Sequence, residues 1–131
     1  MATNEITYLA FEDAFWLHLE LMKEWGETRY GIDHRSLIES ALARPRHAAV
    51  YENADLIRQA ATLCYGLIKN HPWLGGNKRT ATFLTRIFLK TNGYQIVYEI
   101  AEMIELVLAV EADAWQVSKI ESWLRARVRP I

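Results

Sequence analysis

Apolar positions along this chain recur three and four residues apart far more often than they alternate, so helix is the expected element over most of its length. Phe11 to Trp25 carries Phe11, Phe15, Met22 and Trp25 near one face, with Leu17 and Leu21 beside them, and Gly26 ends the run. Asp33 is placed to cap a short helix holding Leu37, Ala41 and Leu42, and Pro45 predicts that it stops near Arg44. Arg44 to Asn53 then reads as irregular or extended. From about Ala54 to Asn70, the residues Ile57, Ala60, Ala61, Cys64, Leu67 and Ile68 follow helical spacing again. The next helix, from about Asn77 to Thr91, is apolar on most sides through Ala81, Phe83, Leu84, Ile87, Phe88 and Leu89, which predicts the buried centre of a bundle. Asn92-Gly93 ends it. Gln95 to Tyr98 reads as a short strand, with Ile6 to Leu9 as its expected partner. Ile100, Met103, Ile104, Val107 and Leu108 mark another amphipathic helix. Asp113 with Gln116 resembles a capping box ahead of Val117, Ile120 and Leu124. The expected fold is mainly α, a bundle of about six helices around a buried central helix with minimal β structure.

Composition narrows the class. At 131 residues the chain fits one domain, residues 1–131, with a real core. Hydrophobic residues make up 51% and charged residues 24%, the balance of a soluble globule. A net charge of -1 argues against nucleic acid as the main partner, while leaving room for a local phosphate site. The basic positions Arg125, Arg127 and Arg129 read as a solvated helix end. Lys78, Arg79, Arg86 and Lys90 lie on a helix whose apolar remainder argues against a DNA-reading role. Cys64 is the only cysteine, so no internal disulfide forms, and its apolar helical setting predicts a buried, inert thiol. Met1 to Ile6 carries no signal-peptide pattern and no apolar run approaches the ~20 residues needed to span a bilayer, so a cytoplasmic protein without a membrane partner is expected. Phe15, Trp16 and Trp25 of the first helix read as core.

One stretch departs from a packing pattern: His71-Pro72-Trp73-Leu74-Gly75-Gly76-Asn77-Lys78-Arg79-Thr80-Ala81, a tight loop between two apolar helices. Paired glycines let backbone approach a ligand closely. The unpaired amides of the following helix start, helped by its dipole, attract an anion. Asn77, Lys78 and Arg79 add an amide and two cations to that turn, a combination that points to phosphate. His71 stands one loop away, and an imidazole accepts a proton at cellular pH. Each piece also has an ordinary reading: a loop histidine, a turn, a helix cap. A P-loop fits less well, because Arg79 follows Lys78 where Ser or Thr is required.

The stretch resembles the signature of the Fic/Doc family, His-Pro-Phe-x-(Asp/Glu)-Gly-Asn-(Gly/Lys)-Arg ahead of the central helix. His71, Pro72, Gly76, Asn77, Lys78 and Arg79 match it, and Trp73 replaces one aromatic by another. Leu37 to Pro45, Tyr51 and Phe88 to Tyr94 are also similar to Doc toxins, and helical order agrees from about Tyr8 to Leu124. The resemblance implies a Fic-like bundle, with His71 and Arg79 catalytic and Gly76, Asn77, Lys78 and Arg79 holding the phosphates of ATP or another nucleoside triphosphate. Lys69 falls where some Doc proteins have arginine and is a further phosphate candidate. Lys78 implies the Doc subtype, which transfers the terminal phosphate, where Fic proteins with glycine there transfer AMP. The implied partners are a Phd-like antitoxin and a protein substrate, a translation factor such as elongation factor Tu. Many Fic proteins silence themselves with an internal segment bearing Ser or Thr, three residues, then Glu. This chain has no such spacing, so inhibition in trans is expected.

Gly75 is the departure. The family carries there an acidic ligand for Mg2+, so the implied ion has no protein ligand at that position and a catalytically silent nucleotide-binding module stands as an alternative. The neighbouring Gly76 predicts that Gly75→Asp folds normally, tightens magnesium and raises transfer.

Overall fold

The computed structural model describes residues 5–131. The reading of Met1 to Ile6 as free of a signal peptide falls mostly on residues 1–4, outside the described residues. Six helices, α1 (Phe11–Glu24), α2 (Arg35–Glu52), α3 (Leu56–Asn70), α4 (Asn77–Thr91), α5 (Ile100–Glu111) and α6 (Val117–Arg127), are joined by two short strands, β1 (Tyr94–Ile96) and β2 (Val128–Pro130). The fold is mainly α, as the periodicity predicts. No helix among the described residues is long and apolar enough to cross a membrane.

The most buried helix is α3, whose Gln59 to Cys64 and Gly66 to Ile68 are all inside. Its start is fixed by Asp55, whose side chain accepts from the Arg58 amide at 2.9 Å. Helix α4 packs on it through Ala81, Leu84, Phe88 and Leu89, while Lys78, Arg79, Arg86 and Lys90 stay exposed. The core therefore centres on α3, with α4 half-sunk beside it. Cys64 lies in this interior, and burial pushes its thiol up to about 12.

Several expectations are corrected. Arg44 to Asn53 is helix: α2 runs through Pro45 to Glu52 and ends at Asn53 in the left-handed region, φ 53. An internal proline costs a helix about 3 kcal/mol. Here Pro45 is buried with Ile38, Ala41 and Ala48, one apolar stripe that continues across the proline and packs on α3. Gly66 permits the close approach, since a Cβ there would meet the Arg44 Cδ at 2.6 Å. The N-cap of α2 is His34, not Asp33, whose amide donates to the Pro72 carbonyl at 3.0 Å.

The strand partner is the C-terminus and not Ile6 to Leu9. Tyr94 pairs with Pro130, Gln95 with Arg129 and Ile96 with Val128, antiparallel. Thr7 instead exchanges two backbone bonds with the Asn92 side chain, at 2.8 and 3.0 Å. Of the arginines read as a solvated helix end, Arg125 and Arg129 are exposed, with Arg125 paired to Asp55 and Glu121, while Arg127 is half-buried against Glu102 at 2.7 Å. At the start of α6 the cap is Gln116, while Asp113 sits at φ 64 and takes Lys69.

Candidate active site

Helix α1 ends in a Schellman turn: the Gly26 amide donates to Lys23 O at 3.1 Å, and the Glu27 amide reaches back to Met22 O at 2.9 Å. Gly26 takes the left-handed conformation that this turn needs, φ 67. The turn fixes where Glu27 emerges. The following residues lie along the 71–74 loop like a second strand. Ile32 bridges Trp73, Leu74 N–H donates to Gly31 O at 2.9 Å, and the amides of Asp33 and His34 both reach Pro72 O at 3.0 Å.

His18 locks this junction from below, and nothing in the sequence reading singled it out. It is fully buried in α1, stacked on Trp73 with ring centroids 4.0 Å apart. Its Nε2 accepts the Gly31 amide at 2.9 Å, so the neutral ring carries its proton on Nδ1 and donates it to Thr80 Oγ1 at 2.8 Å. One side chain thereby joins α1, both loops and α4. Burial lowers the His18 pKa from 6.5 to about 4. Between those values the unfolded chain binds a proton that the folded chain refuses. Stability is therefore full above pH 6.5 and falls as pH drops, by about 3 kcal/mol on reaching pH 4. Urea midpoints measured from pH 7 to 4 should fall across this window in the wild type and much less in His18→Gln.

The loop itself is stapled by Asn77. Its Oδ1 accepts from the Trp73 amide at 2.9 Å and its Nδ2 donates to Trp73 O at 2.8 Å, which fixes the amide's orientation. The second Nδ2 proton points to His71 Nδ1 at 3.2 Å. His71 closes α3 in the left-handed region, φ 50, with its side chain exposed. Because an amide nitrogen can only donate, Nδ1 of neutral His71 holds the lone pair and Nε2 the proton.

Gly76 is the N-cap of α4, at φ 67, and no side chain caps the helix. The first amides of α4 have no intrahelical partner, and the residues that carry them line the cavity beyond the loop. That cavity, about 360 Å³, is lined by Glu27, His71, Leu74, Gly75, Gly76, Asn77, Lys78 and Arg79. A larger cleft of about 730 Å³ between Thr7 and Tyr94 holds no comparable set of cations and imidazole. Arg79 is held by Glu27 Oε1 at 2.6 Å and lies over the Trp25 ring at 4.1 Å. Lys78 reaches toward Glu111 at 3.4 Å.

The structure thus brings His71, Gly76, Asn77, Lys78 and Arg79 to one cavity. Lys69 does not line it, being paired with Asp113 across the bundle. Asn77 is present, but its side chain is committed to the loop. Trp16 and Trp25, read as core, are 60% and 57% exposed. Glu27 was missed, since it lies about fifty positions from the motif.

Gly75 is not free to vary. A Cβ on it would lie 2.2 Å from the Arg29 carbonyl oxygen, and one on Gly76 would lie 2.3 Å from Met22 Sδ. The expectation that Gly75→Asp folds normally is overturned: the segment after α1 occupies the space that a side chain would need. Among the described residues, no group of three or more His, Cys, Asp or Glu side chains could hold a metal ion.

A search of curated proteins gave no match. A family model described as the Fic/DOC family matches residues 8–89, which run from the approach to α1 through the site loop and nearly all of α4. With the matched segment covering well over half of the chain and containing the whole cavity wall, the chain belongs to the Fic/DOC family.

Proposed function

We propose that this protein is a Doc-type toxin that transfers the terminal phosphate of a nucleoside triphosphate to a hydroxyl of a target protein. Its family transfers nucleotide-derived groups to proteins; the kinase subtype is the finer reading. The observation that carries it is the convergence of free α4 amides, Lys78, Arg79 and the His71 imidazole on one cavity. Phosphoryl transfer asks a protein mainly for positioning and charge neutralisation. The backbone around Gly76 and the first turn of α4 would take phosphate oxygens, and Arg79 would neutralise them. His71 would accept the hydroxyl's proton. Whichever ring nitrogen receives it, the Asn77 contact opens: at Nδ1 to free the lone pair, at Nε2 because the ring proton has moved to Nδ1. A 3.2 Å N–H···N bond is long, so this costs only about 1 kcal/mol.

Lys78, where AMP-transferring relatives have glycine, favours phosphate over AMP. The partners that fit are a translation factor such as elongation factor Tu as substrate and a Phd-like antitoxin as inhibitor. A groove between α4 and α5 supports the latter, with Met103, Ile104, Val107 and Leu108 as its floor and Lys78 and Arg79 at its edge. It suits an amphipathic segment with acidic residues, and co-purification from the native operon tests it. ATP labelled at the α or the γ position, incubated with the protein and bacterial lysate, tests the reaction. Label from the γ position on a protein supports the kinase. Label from the α position replaces it with AMP transfer, and no label from either leaves a silent nucleotide-binding module.

A further inference from the structure

Resting on the nucleotide reading above, we propose that Glu27 is the protein's ligand for the divalent ion that accompanies the nucleotide phosphates. The loop cannot supply one: Gly75 has no side chain and no room for one, because the Arg29 carbonyl stands at its Cβ position. The segment that excludes a side chain there brings its own carboxylate two residues earlier. Glu27 lines the same cavity as His71, Gly75 and Gly76, and its backbone is pinned by the turn that closes α1.

The carboxylate accepts from Arg79 at Oε1, 2.6 Å away. Arriving phosphates are better partners for the guanidinium, and they bring a cation that needs carboxylate oxygen. The exchange conserves charge: Arg79 passes from Glu27 to phosphate, and Glu27 from Arg79 to the ion. Magnesium in nucleotide sites needs only one or two carboxylates, with phosphate and water completing its shell. Glu27 would supply the one, and it needs no move out of the cavity to do so. Trp25 keeps Arg79 in place during the exchange, with the guanidinium 4.1 Å above its ring.

The test uses Mn2+ as the probe and a non-hydrolysable ATP analogue, on the wild type and Glu27→Gln. Calorimetry gives analogue affinity with and without the ion, and the electron paramagnetic signal of free Mn2+ gives ion affinity in the complex. The wild type should bind analogue more tightly with Mn2+. In Glu27→Gln, metal-free binding should be unchanged or tighter, because Arg79 is released, while Mn2+ affinity in the complex should fall about 10- to 100-fold. Equal tightening with and without Mn2+ would mean that Glu27 only competes for Arg79, and would overturn the assignment. Wild type that binds no analogue under either condition removes the nucleotide reading and this ligand with it. Glu27 is a partly exposed loop residue, and the exchange to Gln keeps its shape, so melting curves should coincide.

Discussion

Gly75→Asp should lose stability and gain no activity, although it restores the family's acidic residue. The new Cβ would lie 2.2 Å from the Arg29 carbonyl oxygen and 3.2 Å from its carbon, both rigid backbone atoms. Relief requires moving the segment that follows α1, and that segment is held at both ends. Behind it stands the Schellman turn; ahead of it, Gly31 and Ile32 pair with the 71–74 loop. Overpacking of this kind costs about 1–3 kcal/mol. Displacing that segment also carries Glu27 away from Arg79, so the loss extends to the site. Gly75→Ala separates the causes. It has the same Cβ and no carboxylate, and should melt nearly as low as the aspartate variant. Chemical denaturation of the three proteins, with transfer assays beside it, decides the matter. An aspartate variant as stable as the wild type and more active would mean that the loop has room that its geometry denies.

The site loop was legible because its chemistry is local. Glycines, helix-start amides and cations sit within nine positions, and each has a physical reason to be there. The helices α1, α3, α4 and α5 were legible for the same reason, since their apolar faces repeat over short spans. Pro45 misled because a local rule, that proline ends helices, was set against a longer pattern. Ile38, Ala41, Pro45 and Ala48 are all buried, and that stripe outweighs the missing amide. The β1 partner was misplaced because arginines mask the apolar positions of the C-terminus. Val128 and Pro130 pair with β1, while the arginines beside them reach carboxylates on other elements, Arg125 at Asp55 and Arg127 at Glu102.

The contacts that the end of α1 and the segment after it make with the site loop were illegible in principle. Met22, Glu27 and Arg29 act on Gly76, Arg79 and Gly75, and no spacing rule connects residues so far apart. His18 left a fainter trace. It falls on the helical face of Ala14, Leu21 and Met22, where a polar residue must find partners inside, and it does so at Gly31 and Thr80. A polar residue on an apolar helix face was the one signal that could have pointed to it.

His71→Ala should lower transfer by about two to four orders of magnitude while leaving the fold in place. The size follows from the role: a positioned base takes the hydroxyl's proton as the oxygen attacks phosphorus, and alanine leaves that proton to water. The fold should survive because the His71 side chain is exposed and makes a single weak contact, the 3.2 Å bond from Asn77. Asn77 keeps both of its bonds to the Trp73 backbone, so the loop stays stapled. The left-handed backbone at position 71 suits alanine less well than histidine, which lowers stability by about 1 kcal/mol and leaves the fold in place. Analogue affinity should stay within a few-fold of the wild type, because phosphate binding is assigned to the α4 amides, Lys78 and Arg79. Growth inhibition on expression should vanish with transfer. The decisive measurement is transfer per unit of nucleotide-bound protein, for both variants under one set of conditions. Transfer unchanged in His71→Ala would remove the imidazole from the chemistry and leave the cavity as a binding site whose base lies elsewhere.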